Sequence, residues 1–239
     1  MKSILFATLF LLFCLPTISN AAAYWLELKG NGKINQPVQI QVCYGVIDEY
    51  SIRHRDTGKE LELTGAFRIT IMDEKGQLTA IPIIKKADYW EGTFTPTQNG
   101  MYRIIGVNDS HPVVDRSKTG GKNIRPVDYL YSAYQVGNTG SALFKPAQFL
   151  DLIINNKDGI ISIKAFNNML PAKTKLRVFN PENWEKELET DEHGEAFFKT
   201  TMKGQYIIRE DWDDATPGTY NGISYVSTRY RCNYCLQVQ

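Results

Sequence analysis

Over most of this sequence apolar residues recur at every second position, in runs too short for a helix. Val38, Ile40, Val42 and Tyr44 alternate with Gln39, Gln41 and Cys43, and Phe67, Ile69 and Ile71 with Arg68, Thr70 and Met72. Successive side chains on a strand point to opposite faces, so this pattern buries one face of an antiparallel strand and leaves the other wet. Helical periodicity is hard to find anywhere. Aromatics make up 12% of the 239 residues, and 13 Tyr beside 11 Phe suit half-buried sheet surfaces. The expected class is all-β.

The first residues read as a secretory leader. Lys2 supplies a positive end, Ile4 to Leu15 is an apolar run, and Pro16 breaks it ahead of Ser19-Asn20-Ala21-Ala22-Ala23. That run is too short to span a bilayer. Small residues allow cleavage after Ala21 or after Ala23; the second is preferred, which removes residues 1–23. A lipoprotein alternative would use Cys14, but Phe13 stands where a small residue is wanted. The mature chain then has no transmembrane segment and is expected to be periplasmic or otherwise exported. Loss of Lys2 from 27 basic residues balances them against 26 acidic ones, so its charge recruits neither nucleic acid nor an anionic membrane.

Turn signals cut the rest into strands. Asp73-Glu74-Lys75-Gly76 leads into Gln77 to Lys85, where Pro82 points to an edge strand or a bulge. Tyr89 to Thr95 and Met101 to Val107 follow. From Asn108 to Pro126 the pattern stops, and the stretch reads as a long mixed-charge loop able to present a binding surface. A strand from Tyr129 to Val136 closes the first half, and Gly137-Asn138-Thr139-Gly140-Ser141 reads as a linker. The second half gives strands at Phe149 to Ile154, Ile160 to Phe166, Lys175 to Phe179, Glu195 to Thr200, Gln205 to Glu210 and Ser227 to Val238.

Two features repeat between the halves: Asp73-Glu74-Lys75-Gly76 with Asp191-Glu192-His193-Gly194, and Gly100-Met101-Tyr102 with Gly204-Gln205-Tyr206. A Gly-x-Tyr after a loop suits a tyrosine hydroxyl tied to backbone at a sandwich corner. The expected organisation is a signal peptide over 1–23, then two tandem immunoglobulin-like β-sandwich domains, at 24–140 and 141–239.

After the leader Cys43, Cys232 and Cys235 remain, an odd number. Cys232-Asn233-Tyr234-Cys235 has CxxC spacing, yet it lies in an alternating run in which Tyr230, Cys232, Tyr234 and Leu236 share one face and Arg229, Arg231, Asn233 and Cys235 the other. The two thiols are expected on opposite faces, Cys232 in the core and Cys235 at the surface. A structural role, a disulfide with each other or with Cys43, and a metal or redox pair remain open.

Tyr24-Trp25-Leu26-Glu27, Gly32-Lys33 and Val42-Cys43-Tyr44-Gly45 resemble the opening of exported proteins related to the NikM component of nickel and cobalt uptake, many known only as a domain of unknown function. Val178 to Leu188, Thr190 to Gly194, Gly204-Gln205-Tyr206 and Thr216 to Gly222 with Tyr225 and Arg229 follow in the order that family shows. The resemblance implies a β-rich exported accessory with divalent metal handling in some members. Those members commonly begin the mature chain with His and carry another near the last strand; here the positions are Tyr24 and Tyr230.

Of three His, His54 lies between Arg53 and Arg55, whose charge opposes a cation, and His193 occupies a turn. His111, before Pro112, is the remaining metal candidate. Glu210, Asp211, Asp213 and Asp214 bracket Trp212; such carboxylates either hold a hard cation or form a solvated loop. The candidate metal ligands are therefore His111, Asp211, Asp213 and Asp214. No nucleophile elbow, phosphate-binding loop, dinucleotide fingerprint or zinc-protease His pair occurs, so no catalytic residue and no enzyme are expected. Two functions fit: an exported accessory assisting nickel or cobalt uptake beside an envelope transporter component, or an immunoglobulin-like module that binds a protein or glycan through exposed Trp and Tyr.

Overall fold

A computed structural model describes residues 22–137 and 144–239; most of the expected leader and of the expected linker lie outside the described residues. The first half contains β1 (Ala23–Lys29), β2 (Val38–Ile47), β3 (Arg53–Arg55), β4 (Arg68–Met72), β5 (Leu78–Ile81), β6 (Ile84–Lys85), β7 (Trp90–Phe94), β8 (Gly100–Asn108) and β9 (Ile124–Val136). The second contains β10 (Leu150–Lys157), β11 (Ile160–Asn167), β12 (Leu170–Pro171), β13 (Lys175–Phe179), β14 (Glu185–Glu189), β15 (Glu195–Lys199), β16 (Gly204–Asp214), β17 (Gly218–Tyr220), β18 (Ile223–Tyr225) and β19 (Ser227–Val238). A six-residue helix, α1 (Lys59–Thr64), precedes β4. The fold is an all-β sandwich.

Each half builds the same pair of sheets. β1, β2 and β7 pair in the first half as β10, β11 and β15 do in the second, and β9-β8-β4-β5 matches β19-β16-β13-β14. Of the two sequence repeats only the Gly-x-Tyr pair marks equivalent points: the Asp73 turn joins β4 to β5, whose counterpart is the β13–β14 turn, whereas the Asp191 turn joins β14 to β15. The Tyr102 hydroxyl donates to the Gln98 carbonyl at 2.9 Å and the Tyr206 hydroxyl to the Met202 carbonyl at 3.3 Å, so both Gly-x-Tyr pairs are tyrosine corners. Phe94 packs 5.6 Å from the Tyr102 ring, and Phe198 packs 5.9 Å from that of Tyr206.

The two four-stranded sheets are fused. β9 and β19 run side by side in parallel, from Ile124 beside Ser227 to Ser132 beside Cys235, and close a sheet of eight strands whose other pairings are antiparallel. Parallel pairing of equivalent strands puts the pseudo-twofold axis along the strands, which turns one half over relative to the other. The smaller sheets therefore lie on opposite faces of the shared one. Ile105, Tyr129, Tyr131, Ile208 and Cys232 face Leu152, Ile161, Ile163 and Phe198 on one side. Ile104, Leu130, Ile207 and Cys235 face Leu26, Ile40 and Val42 on the other. Cys232 and Cys235 do point to opposite faces, but Cys235 is buried rather than at the surface, because the N-terminal sheet covers the face that alternation alone leaves wet. Among the described residues Cys43, Cys232 and Cys235 are free thiols.

The first strand of each half lies over the seam, against the last strands of both halves. Its open edge is taken up by side chains from across the seam: Asn233 Nδ2 donates to the Tyr24 carbonyl at 2.8 Å and Gln205 Nε2 to the Leu26 carbonyl at 2.6 Å, while Cys235 Sγ accepts from the Leu26 amide at 3.1 Å. Reciprocally, the Tyr131 hydroxyl donates to the Leu150 carbonyl at 2.9 Å and Arg103 to the Leu152 carbonyl at 3.2 Å. Tyr131 and Asn233 hold equivalent positions, since Tyr134 stands beside Tyr102 as Leu236 stands beside Tyr206. Arg103 is itself buried. It stacks 4.4 Å above the Tyr131 ring and pairs with the enclosed carboxylate of Asp151, which also accepts from the Ala147 amide at 2.7 Å.

Several sequence expectations change. Gln77 to Lys85 is two strands, because the chain leaves the shared sheet at Pro82 to join the N-terminal one as β6. The Asn108–Pro126 loop is shorter than expected: Val114 bridges Ile124, where β9 begins. The acidic stretch after Glu210 is strand rather than loop, since β16 stays paired with β19 as far as Asp214 beside Thr228.

Breaking a buried ion pair strands the other charge, at about 3–5 kcal/mol. Asp151→Ala is therefore expected to lower the stability measured in urea by that order, with Arg103→Met/Asp151→Leu recovering most of the loss. Because each core draws on both halves, unfolding followed by Trp fluorescence and by far-UV circular dichroism should give one coincident transition; two resolved transitions would show that the halves fold separately.

Candidate functional site

Asp211, Asp213 and Asp214 stand on β16, where a period of two sends them to different faces. Asp211 accepts from Arg231 Nε at 2.6 Å, and Asp213 stands beside Arg229 in the register. Asp214 turns to the other face and accepts from the Thr216 amide at 2.9 Å; the Thr216 side chain first, and this amide second, hold its carboxyl below the usual range. His111 lies apart, its Nδ1 2.7 Å from the Pro112 carbonyl and its Nε2 4.0 Å from Glu60. The structure does not bring these four together, and among the described residues no three His, Cys, Asp or Glu side chains converge to hold a metal ion.

What sequence reasoning missed is Asp128. It continues a row across the seam, Asp211 beside Arg231 beside Asp128, on the face turned to the N-terminal sheet. Asp128 is buried, with Arg229 Nη2 3.8 Å from one oxygen and no hydrogen-bond partner on the other. Burial raises its carboxyl above the usual range, against the pull of Arg229, Arg231 and His111. Carboxylates interleaved with guanidinium groups are already neutralised, an arrangement that opposes a cation. The signal in the sequence was the alternation of Arg229 and Arg231 opposite Asp213 and Asp211.

On the other face Glu210 is enclosed with both oxygens lacking partners, and burial pushes its carboxyl up to about 8. Asp151 and Asp211 add to that rise.

The exposed chemistry lies at the turns. In the β2–β3 hairpin Asp48 Oδ1 accepts from the Tyr50 and Ile52 amides at 2.9 and 2.8 Å; in the β13–β14 hairpin Asn180 Oδ1 accepts from the Glu182 and Trp184 amides at 3.0 and 2.8 Å. The turns at Asp73 and Asp191 are built the same way and put Gly76 and Gly194 at the left-handed fourth position. Ser51 and Asn183 occupy that position with φ of 62° and 61°, a conformation that costs a residue other than glycine on the order of 1 kcal/mol. Asn183 is needed there for its side chain, because its Nδ2 donates to the Ser51 carbonyl at 2.7 Å and its Oδ1 accepts from Arg53 Nη2 at 2.6 Å. Arg53 in turn lies 5.2 Å over the Trp25 ring.

These bonds lock two turns from different halves into one surface, on which Tyr50 is 76% exposed, Trp184 69% and Ile52 54%. Glu49 and Glu182 flank the aromatics in the chain. A concavity of about 400 Å³ opens at the opposite end of β2, between residues 73–81 and the 95–100 loop.

A carboxyl protonated in the fold up to about pH 8 but near 4.5 when free makes the folded state hold the extra proton between those values, so stability falls as pH rises through that window. The slope is at most about 1.4 kcal/mol per pH unit for one group. Glu210→Gln is expected to flatten this decline in Tm between pH 5 and 8 and to leave stability near pH 4 almost unchanged; an unaltered profile would place the titration elsewhere.

No family model matches the chain, and no curated protein does. Among solved structures it aligns with the group B streptococcus pilus 2b backbone protein, at 10% identity over 90% of this chain and 98% of that one. The TM-score is 0.15, too low to bear on fold or function. No helix among the described residues is long and apolar enough to cross a membrane.

Proposed function

We propose that this is an exported, non-enzymatic binding module of the cell envelope, which docks another envelope protein on the surface made by Tyr50, Ile52 and Trp184. The observation that carries this reading is the Asn183 bridge. Two left-handed residues are held in place to join turns from different halves, and the joined surface displays Tyr50 and Trp184, the two most exposed aromatics among the described residues. Aromatic anchors on a rigid frame lose little entropy on binding, and Trp and Tyr are the residues that most often dominate protein interfaces. Glu49 and Glu182 beside them favour a partner with basic residues around its contact.

A photo-crosslinking residue at position 50 is expected to trap one envelope protein in intact cells. Trp184→Ala should abolish the adduct and Asn183→Gly should weaken it, with Tm lowered by a few degrees at most. The same crosslinker at Ile160, exposed on β11, should trap nothing. Equal adducts at both positions, or an adduct indifferent to Trp184, would overturn the reading. Titration of metal-stripped mature protein with nickel, cobalt, copper and zinc is expected to show no micromolar binding. Tight binding that falls in His111→Ala would instead favour the metal-uptake role that the NikM resemblance implies.

A further inference from the structure

The cleft at the far end of β2 has walls fixed without help from most of its polar side chains. Asp73 holds the 73–77 turn; Glu74 Oε1 accepts from the Met101 amide at 2.7 Å, tying that turn to the start of β8. Gly100 lies at this contact with φ of 147°, a conformation that favours glycine, and an added Cβ there would come within 3.0 Å of Glu74. Tyr102 pins the opposite wall through Gln98, and the Asn35 amide donates to the Pro96 carbonyl at 2.7 Å. Ile71, Ile81, Phe94 and Tyr102 contribute an apolar, partly aromatic lining.

Around that lining stand Gln77, Thr79, Thr95, Thr97, Gln98 and Asn99. Their amide and hydroxyl groups are neutral donors and acceptors, and none makes a side-chain hydrogen bond among the described residues. The fold does not demand them. At the equivalent place in the second half the turn carries Pro181, packed against Gly204, and Asn180 reaches across to Met202, the counterpart of Gln98. A preformed cleft of this size, with an apolar floor below and uncommitted neutral hydrogen-bonding groups above, matches a ligand whose rings have apolar C–H faces and hydroxyl edges. Asp73 and Glu74 outnumber Lys75 on the same lip, which disfavours an anionic ligand.

We infer that this cleft binds a neutral mono- or disaccharide unit of a glycan, independently of the protein-docking surface at Trp184. Four neutral disaccharides, maltose, cellobiose, lactose and N,N′-diacetylchitobiose, serve as probes of the mature protein by saturation-transfer NMR. At least one is expected to bind with a Kd of about 1 mM or tighter. Binding should weaken tenfold or more in Gln77→Ala/Gln98→Ala and disappear in Thr79→Trp, which fills the cleft from an exposed position. Trp184→Ala should leave it unchanged, so failure here is distinguishable from failure of the docking surface. No transfer from any of the four, or transfer that survives Thr79→Trp with Tm intact, would overturn the inference.

Discussion

The parallel pairing of β9 with β19 is the constraint on which the rest of the structure depends. Because the strand order is mirrored about this seam, two equivalent strands joined in parallel can be related only by an axis along their own direction, and such an axis exchanges the faces of the sheet. Each half must therefore place its smaller sheet on the side opposite its partner's, and the shared sheet is covered twice. Once both faces are covered, the first strand of each half can reach over the seam and hand its open edge to the other half. Tyr131 and Asn233 do this from matching positions, so the two halves are interlocked rather than strung together.

Double coverage also explains where the awkward charges sit. A strand covered on one face can send every polar residue to water; β8, β9, β16 and β19 cannot. Arg103 meets Asp151 inside, Arg209 meets Asn233, and Asp128 and Glu210 are enclosed with oxygens left over. Burial and the neighbouring Arg231 pull Arg209 down, while burial pushes Glu210 up. Both shifts follow from taking a charge out of water in a sheet that has no wet face at that point.

The sequence made the strands legible because alternation and turn chemistry are local. Val38 to Tyr44, Lys175 to Phe179 and the run through Tyr234 all form strands, and the two Gly-x-Tyr pairs are the corners their spacing suggested. Burial of the second face was not legible. Nothing near Cys235 announces that Leu26, more than two hundred residues earlier, will donate to it. The acidic residues of β16 looked like loop for the same reason, since the arginines that keep them in register are on another strand. The aromatic surface was legible only as a class: exposed Trp and Tyr were expected to bind, but which ones was not, because the meeting of Tyr50 and Trp184 depends on the Asn183 bridge between turns that are remote in sequence.

The shared sheet, packed on both sides, has little strand surface left for recognition, and the proposed contacts lie at the turns. The two halves share one turn frame, an Asp or Asn accepting from amides two and four residues on, and they differ in what it carries. At the last position the first half has Gln77, facing a polar cleft, and the second has Trp184, exposed beside Tyr50. Neither residue closes the turn, since the capping bonds run through backbone amides that any residue other than proline supplies. The side chain at that position is thus free of the fold, and the same frame can present an amide in one half and an indole in the other without altering the strands beneath.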